Sequence, residues 1–131
     1  MNVPDDLKYT KEHEWVRLTG NRAVVGITDF AQDALGDVVY AEVPEEGTEI
    51  TAGQPFGEVE STKSVSDVYA PLSGSILDRN DRLADEPEIL NQDPYGEGWM
   101  VVIEVTDPSE VGALLEPSAY RELTESESEG S

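Results

Sequence analysis

Residues 56–71 read FGEVESTKSVSDVYAP, in which apolar side chains stand on both sides of a short polar centre. Alternation of this kind predicts two β-strands, at Gln54–Glu60 and Val65–Ala70. The small polar residues Ser61–Ser64 lie between these strands and predict an exposed turn that carries Lys63. The stretch therefore indicates a β-hairpin with a lysine at its tip.

Further strand patterns lie on both sides of this hairpin, separated by Gly, Pro and Asn turn signals. They predict strands at Glu14–Thr19, Arg22–Ile27, Asp37–Val43 and Ser73–Asp78. The apolar run Trp99–Val105 predicts a strand that is buried on both faces. Many short strands with regular turns favour a mainly β fold, either a sandwich or a flattened barrel.

Helical signals are few and short. Thr28-Asp29 offers an N-cap for a helix at Phe30–Leu35, and Gly36 ends this helix. Residues 80–98 are rich in Asp, Asn, Pro and Gly, and predict only turns or one-turn helices.

The last part of the chain predicts two terminal helices and a tail. Asp107-Pro108 opens the first helix, and Pro117–Leu123 forms the second. Residues 125–131 contain only Glu, Ser and Gly. We therefore expect a single domain over residues 1–124, followed by a disordered acidic tail.

The composition excludes several classes of protein. The 131 residues include no Cys and only one His, His13, so neither thiolate chemistry nor a His-rich metal site is expected. A net charge of −21 leaves no basic patch that could bind nucleic acid. The N-terminus lacks the pattern of a signal peptide, and no apolar run approaches the length of a membrane span. We expect a cytoplasmic protein without a metal.

The acidity itself has three interpretations. A disordered chain is disfavoured by the 37% of hydrophobic residues and by the strand patterns. An acidic surface could bind a partner, or it could keep a halophilic protein soluble in concentrated salt. The acids are spread over the whole chain rather than grouped in blocks, which favours the halophile interpretation.

Lys63 has a plain interpretation and a functional one. Lysines on turns are commonplace, and Lys63 could simply be solvated. A hairpin tip can also present an ε-amine to a modifying enzyme and give an attached group room to swing. Lys63 is one of three lysines, and the others, Lys8 and Lys11, stand near the N-terminus. The local pattern alone leaves both interpretations open.

Five blocks, most of them far from the turn, carry a resemblance to a known family. They are residues 7–15 (LKYTKEHEW), 25–32 (VGITDFAQ), 35–39 (LGDVV), 60–64 (ESTKS) with Ser66-Asp67, and 91–99 (NQDPYGEGW). Together they resemble the H protein of the glycine cleavage system, a small lipoyl-carrying domain, from about Leu7 to Tyr120. Thr62 replaces a residue that is usually apolar in the family, and Ser64 replaces the usual Ala. Both replacements are small and polar, so they leave Lys63 exposed.

The resemblance implies a lipoyl/biotinyl-carrier-like flattened barrel of two antiparallel sheets, with a lipoyl-binding core at about residues 22–106, in a monomer. It implies lipoate attached as an amide to Lys63 by a lipoylating enzyme, and no catalytic residue, because the cofactor supplies the chemistry. The implied partners are the glycine decarboxylase (P protein), which loads an aminomethyl group, and the aminomethyltransferase (T protein), which receives it. A dihydrolipoamide dehydrogenase (L protein) then takes the electrons.

The resemblance also implies a cleft for the loaded arm. In the family, acidic residues at the positions of Glu14 and Asp67 face the amine of the carried group. A dry cleft and a carboxylate would protect a group that water hydrolyses. We expect Trp15 and His13 in the core or in the wall of the cleft. A loop-shaping role is expected for Pro94–Trp99.

Three other functions stay open at this point. A biotinyl carrier is disfavoured because Thr62 and Ser64 stand where Met normally flanks the modified lysine, and carriers of 2-oxo acid dehydrogenases usually belong to longer chains. A lipoyl donor or relay for another lipoate-dependent complex has the same sequence features as the glycine cleavage carrier. An acidic scaffold without a cofactor is the third.

Overall fold

A computed structural model describes residues 2–129, which form nine strands, four α-helices and one 3-10 helix. The strands are β1 (Lys8–Tyr9), β2 (Glu14–Thr19), β3 (Arg22–Ile27), β4 (Val38–Glu42), β5 (Glu49–Ile50), β6 (Pro55–Ser61), β7 (Val65–Tyr69), β8 (Gly74–Arg79) and β9 (Val101–Val105). The helices are α1 (Asp29–Leu35), α2 (Arg82–Asp85), α3 (Ile89–Gln92) and α4 (Pro117–Glu129), with the 3-10 helix at Pro108–Ala113.

The strands form two antiparallel sheets, which confirms the predicted mainly β architecture. The larger sheet has the order β1-β2-β3-β9-β8-β5, and the smaller sheet has the order β4-β6-β7. Neither sheet closes on itself within residues 2–129, so the expected flattened barrel is present as two open sheets. The two-residue strands β1 and β5 were not predicted, because two residues are too few to show alternation.

Buried apolar side chains from alternate strand positions fill the space between the sheets. Val59 and Val68 of the smaller sheet belong to one cluster, and Val25 and Ile103 of the larger sheet belong to a second. Phe56 packs against both clusters and joins them. Full burial of each large apolar side chain contributes about 1.5–3 kcal/mol. These contacts fix the lysine-bearing sheet against the rest of the domain.

Strand β9 corrects the prediction of a strand buried on both faces. Val101 and Ile103 are buried, whereas Val102 is half-buried and Glu104 is exposed. β9 pairs with β3 and β8 inside an antiparallel sheet, and such a sheet has one face packed on the core and one face toward water. The apolar run begins before the strand, since the strand itself starts only at Val101.

The C-terminal helix is longer than the predicted helix at Pro117–Leu123. Helix α4 continues to Glu129, past the predicted boundary at residue 124. Thr124 is buried, and a carboxylate oxygen of Glu127 lies 2.8 Å from His13 Nε2, so this part of the helix is anchored to the domain. Of the predicted disordered tail, residues 130 and 131 lie outside the described residues.

The N- and C-terminal segments meet in a third buried cluster. Tyr9 of β1 stacks on Tyr120 of α4, with ring centroids 4.5 Å apart. Val3, Leu7 and Trp15 complete this cluster. No helix in the described part of the chain is long and apolar enough to cross a membrane.

Helix α1 has the two predicted ends. The hydroxyl of Thr28 accepts a hydrogen bond from the Ala31 N–H (3.2 Å), as an N-cap residue does. Gly36 ends the helix at a φ of 82°, and its N–H donates to the Gln32 carbonyl (3.0 Å). The chain then enters β4, whose pairing with β6 shifts register between Val38 and Tyr40. Such a bulge re-aims the strand beside the lysine turn.

Candidate functional site

The turn between β6 and β7 is held by a single buried serine. The Ser61 N–H donates to the Ser64 carbonyl (2.8 Å), and its hydroxyl accepts from the N–H groups of Lys63 (3.2 Å) and Ser64 (3.1 Å). Ser61 is buried, whereas Thr62, Lys63 and Ser64 are exposed. The backbone of the lysine is therefore fixed while much of its side chain is exposed.

The turn is also tied to the start of β4. The Thr62 N–H donates to the Asp37 carbonyl (3.1 Å). On the far side of Asp37, the amide oxygen of Asn91 accepts from the Val38 N–H (2.9 Å), and its amide nitrogen donates to the Gly36 carbonyl (2.8 Å). Asn91 thus links α3 to the segment that supports the lysine turn.

The amine of Lys63 forms no ion pair with the residues that the structure describes. Lys8, by contrast, pairs with Glu116. An amine that is exposed and unpaired can be acylated without the loss of a stabilising contact. The residues around Lys63 therefore fit an amide-linked group such as lipoate.

A cleft of about 320 Å³ begins at the residue after Lys63 and runs between β7 and helix α1. Its wall is apolar along α1, where Phe30, Ala31, Ala34 and Leu35 line it. Its remaining lining residues are Glu12, His13, Glu14, Ile27, Val59, Ser64, Val65, Ser66, Asp67 and Val68. The cleft brings together Glu14 and Asp67, which stand 53 residues apart in the sequence.

Glu14 is almost completely buried at the cleft, with 2% of its surface exposed. One carboxylate oxygen accepts from the Thr10 hydroxyl (2.5 Å), and the other accepts a long hydrogen bond from the Tyr69 N–H (3.4 Å). Burial raises the pKa of Glu14 to about 7, against the lowering effect of these two hydrogen bonds on the pKa. Glu14 can therefore hold or release a proton near neutral pH.

Asp67 lines the same cleft but is exposed. In the smaller sheet it lies opposite Glu58, which in turn lies opposite Glu42. Three like charges side by side repel one another, and water screens them. No group of His, Asp or Glu in residues 2–129 is arranged to hold a metal ion.

His13 lies in the wall of the cleft in an unusual backbone conformation, with a φ of 72°. Its Nδ1 lies 2.8 Å from the Tyr120 hydroxyl and its Nε2 lies 2.8 Å from a Glu127 carboxylate oxygen. Its ring stacks on Phe30 at 4.6 Å. With both ring nitrogens engaged by α4, His13 joins the terminal helix to the cleft wall.

Trp15 and the loop Pro94–Trp99 have structural positions. Trp15 is fully buried, and its indole N–H donates to the Pro94 carbonyl (2.8 Å). The Tyr95 hydroxyl accepts from the Asp29 N–H (3.0 Å) and donates to the Asn2 carbonyl (2.6 Å). The loop therefore packs the N-terminus and α1 against the larger sheet. It lines no part of the cleft.

Sequence reasoning missed the residues that support the site. Thr10 and Asn91 stand in the family blocks, yet no local pattern shows that Thr10 contacts Glu14 or that Asn91 contacts Gly36 and Val38 beside the lysine turn. Glu127 lies in the stretch predicted as a tail. The contacts of Asn91 and Glu127 join residues that are far apart in the sequence, and Thr10 lies in a polar segment.

Comparison with known proteins identifies the family of the chain. A family model described as "Glycine cleavage H-protein" matches residues 7–127. A probable glycine cleavage system H protein from the halophile Haloarcula marismortui is 63% identical over 124 residues, which are 95% of this chain and 98% of the relative. The glycine cleavage system H protein of Anaeromyxobacter sp. (strain K) is 54% identical over 125 residues, again with 95% and 98% coverage.

A solved structure shows the same fold. The crystal structure of a glycine cleavage system H protein from Mycobacterium marinum has a TM-score of 0.83 and 44% sequence identity, and the match covers 90% of this chain and 95% of that chain. The matches extend over nearly the whole length of the chain, and the family model spans the residues that build the lysine turn and the cleft. The chain therefore belongs to the glycine cleavage H-protein family, whose members are carriers in the glycine cleavage system rather than catalysts.

Proposed function

We propose that this chain carries lipoate as an amide on Lys63 and moves the aminomethyl group of glycine between enzymes. The observation that carries the proposal is the position of Lys63. Its amine is exposed on a turn with a fixed backbone, forms no ion pair with the described residues, and stands one residue from a cleft that contains a buried carboxylate. Family membership supports the same function.

Within this function the chain positions the arm, and the cofactor carries out the chemistry. Bound lipoate would supply a dithiolane that accepts the aminomethyl group and electrons. The Ser61 and Asp37 hydrogen bonds hold the turn, so the attachment point does not depend on a flexible loop. The apolar α1 wall of the cleft excludes water from a carried group.

The proposed partners follow from the proposed cargo. A lipoylating enzyme attaches the cofactor, the P protein loads the aminomethyl group, the T protein receives it, and the L protein takes the electrons. Each enzyme has to reach the same arm in turn. A lysine on an exposed turn of a small domain satisfies that requirement.

The mass of the intact protein tests the attachment. Protein from the native host, or from cells that supply lipoate and a lipoylating enzyme, is expected to carry one lipoyl amide, and peptide sequencing is expected to place it on Lys63. Lys8 and Lys11 serve as internal controls in the same spectrum. Unmodified protein from the native host, or an adduct on another residue, would overturn the proposal.

We further propose that Glu14 and Asp67 receive the ammonium group of the loaded arm. Glu14 is the stronger partner, because its burial excludes the water that weakens the effect of the exposed Asp67. Only the carboxylate form of Glu14 can pair with a cation. With a pKa of about 7, Glu14 is mainly protonated in acid and becomes the carboxylate as the pH rises. An ammonium nearby lowers this pKa and shifts the change toward lower pH.

The lifetime of the loaded protein is expected to depend on Glu14 in a pH-dependent way. After loading with glycine by the P protein, release of ammonia and formaldehyde measures hydrolysis of the carried group. At about pH 8, Glu14→Gln should shorten the lifetime about tenfold, because a hydrogen bond to a charged group contributes about 1.5–3 kcal/mol. Asp67→Asn should shorten it only about twofold. The ratio of the wild-type lifetime to the Glu14→Gln lifetime should fall toward one near about pH 5, where Glu14 is protonated.

A matched control is Glu104→Gln, which removes an exposed negative charge from β9, a strand that does not line the cleft. Its lifetime should equal that of the wild type. Lipoylation should be complete in all of these variants. An unchanged lifetime in the double variant Glu14→Gln/Asp67→Asn would rule out this role of the two carboxylates.

A further inference from the structure

Gly36 lies against the stem of Lys63. A Cβ atom placed on Gly36 would stand 2.7 Å from Lys63 Cε and 3.5 Å from Lys63 Nζ. Non-bonded carbon atoms prefer a separation of about 3.5–4.0 Å, so a side chain at position 36 would displace the lysine. The lysine stem therefore occupies a space that exists because residue 36 is glycine.

Asn91 holds this glycine in place. Its amide nitrogen donates to the Gly36 carbonyl (2.8 Å) and to the Gln32 side-chain oxygen (3.1 Å), while its oxygen accepts from the Val38 N–H (2.9 Å). One side chain thus fixes the end of α1, Gly36 and the start of β4 together. The lysine turn is bonded to the same segment through Asp37.

We propose that Gly36 and Asn91 form a seat for the lysine stem and direct the attached arm toward the cleft. The inference rests on the proposed function, since it concerns the arm on Lys63. The four-carbon stem is the same in lysine and in its amide, so the contact with Gly36 persists after lipoylation. Leu35 and Ala34, the residues that precede Gly36 on α1, line the cleft. A stem seated on Gly36 therefore starts the arm beside the α1 wall.

The seat acts through the conformational freedom of the lysine. A free lysine stem has four rotatable bonds and samples many rotamers. Contact with Gly36 removes those rotamers that point the arm away from α1. The arm then spends a larger fraction of time in the cleft, where the carried group is protected. Gly36 contacts Lys63, and Asn91 contacts Gly36 and Val38. Both are positioning residues, because neither contacts the carried group.

Gly36→Ala tests the seat, and Gly47→Ala is a matched control. Both glycines have a positive φ, 82° and 88°, so an alanine is strained at either position. A Cβ at Gly47 meets no atom within 4 Å, whereas a Cβ at Gly36 meets Lys63. The Lys63 contact is therefore expected to be lost in Gly36→Ala and to persist in Gly47→Ala.

Two readouts are compared in both variants. In the unmodified protein, nuclear Overhauser effects between the Lys63 ε-methylene and the α-protons of residue 36 report the contact directly, and a chain with three lysines makes the assignment simple. In lipoylated protein, the lifetime of the carried group reports the position of the arm. We expect Gly36→Ala to abolish the Lys63 contact and to shorten the lifetime about fivefold. A change of this size corresponds to a modest shift of the arm from positions inside the cleft to positions outside it. Gly47→Ala should preserve both the contact and the lifetime.

Asn91→Asp provides a second variant if Gly36→Ala fails to fold. It keeps an oxygen that accepts from Val38 and removes the nitrogen that donates to Gly36. It should weaken the Lys63 contact and shorten the lifetime in the same direction, with no effect on the extent of lipoylation.

The outcomes separate this inference from the proposed function. A missing Lys63 contact in the wild type, or a Gly36→Ala lifetime equal to that of Gly47→Ala in fully lipoylated protein, would refute the seat and leave the carrier function standing. Absence of any lipoyl adduct on Lys63, seen by mass, would refute both.

Discussion

Lys63→Arg is expected to reduce glycine-dependent release of carbon dioxide to background in a system reconstituted with the P, T and L proteins. The guanidinium group of arginine stays protonated and does not accept an acyl group, so no arm can be attached. The fold should be unaffected. The Lys63 side chain is exposed and forms no ion pair with the described residues, and surface substitutions of this kind change stability by about 0.5 kcal/mol or less.

The other two lysines are the controls for this experiment. Lys8→Arg keeps the charge that pairs with Glu116, and Lys11→Arg changes a lysine close to it in the sequence. Both variants should be lipoylated and should support the full rate. Turnover by Lys63→Arg above that of the unlipoylated wild type would place the arm elsewhere. A loss of activity in all three variants would show that arginine itself disturbs the assay.

The hairpin and the short helix could be predicted because their signals are local. Strands β2 and β3 form a hairpin and begin and end at the predicted residues, Glu14–Thr19 and Arg22–Ile27. Helix α1 has its N-cap and its terminal glycine within nine residues. Hydrophobic alternation and turn chemistry act between neighbours in the chain, so the sequence shows them directly.

The cleft could not be found in this way, because its walls come from distant parts of the chain. Glu14 stands at the start of β2, α1 follows β3, and Asp67 lies on β7. The chain contains 29 acidic residues, so no composition rule singles out the one that is buried beside Thr10. Only the family resemblance pointed to Glu14 and Asp67, and the structure shows that both line one cleft.

Contacts between distant parts of the chain also explain why the end of helix α4 and the contact between Gly36 and Lys63 were not predicted. The Glu-Ser stretch after Leu123 has the composition of a solvated tail, yet His13, far away in the sequence, pairs with Glu127 and anchors the helix. The sequence assigns Gly36 the single role of ending a helix. The contact with Lys63 adds a second reason for glycine at this position, and no local pattern contains it.

The stability of the domain is expected to depend strongly on salt. The chain has 29 acidic residues and 8 Lys and Arg residues, so most carboxylates have no cationic partner. Glu42 and Asp67 are exposed, Glu58 between them is half-buried, and the three lie side by side on adjacent strands of the smaller sheet. The ion pairs of Lys8 and Arg82 are on the surface. Folding brings these charges together, and their repulsion acts over about 30 Å at 0.01 M salt but only about 3 Å at 1 M.

Thermal unfolding followed by circular dichroism measures this effect. Between about 0.01 M and about 1 M KCl we expect the free energy of unfolding to rise by about 3 kcal/mol, which raises Tm by roughly 10–15 °C for a domain of this size.

Glu58→Gln separates charge repulsion from a general effect of salt on apolar burial. It removes the central charge of the three, so it should stabilise the protein by about 0.5 kcal/mol at low salt. At about 1 M KCl this gain should vanish, because the repulsion is already screened. An equal Tm at both salt concentrations, or a Glu58→Gln gain that persists in high salt, would show that the acidic surface does not oppose folding and would favour its use in binding a partner.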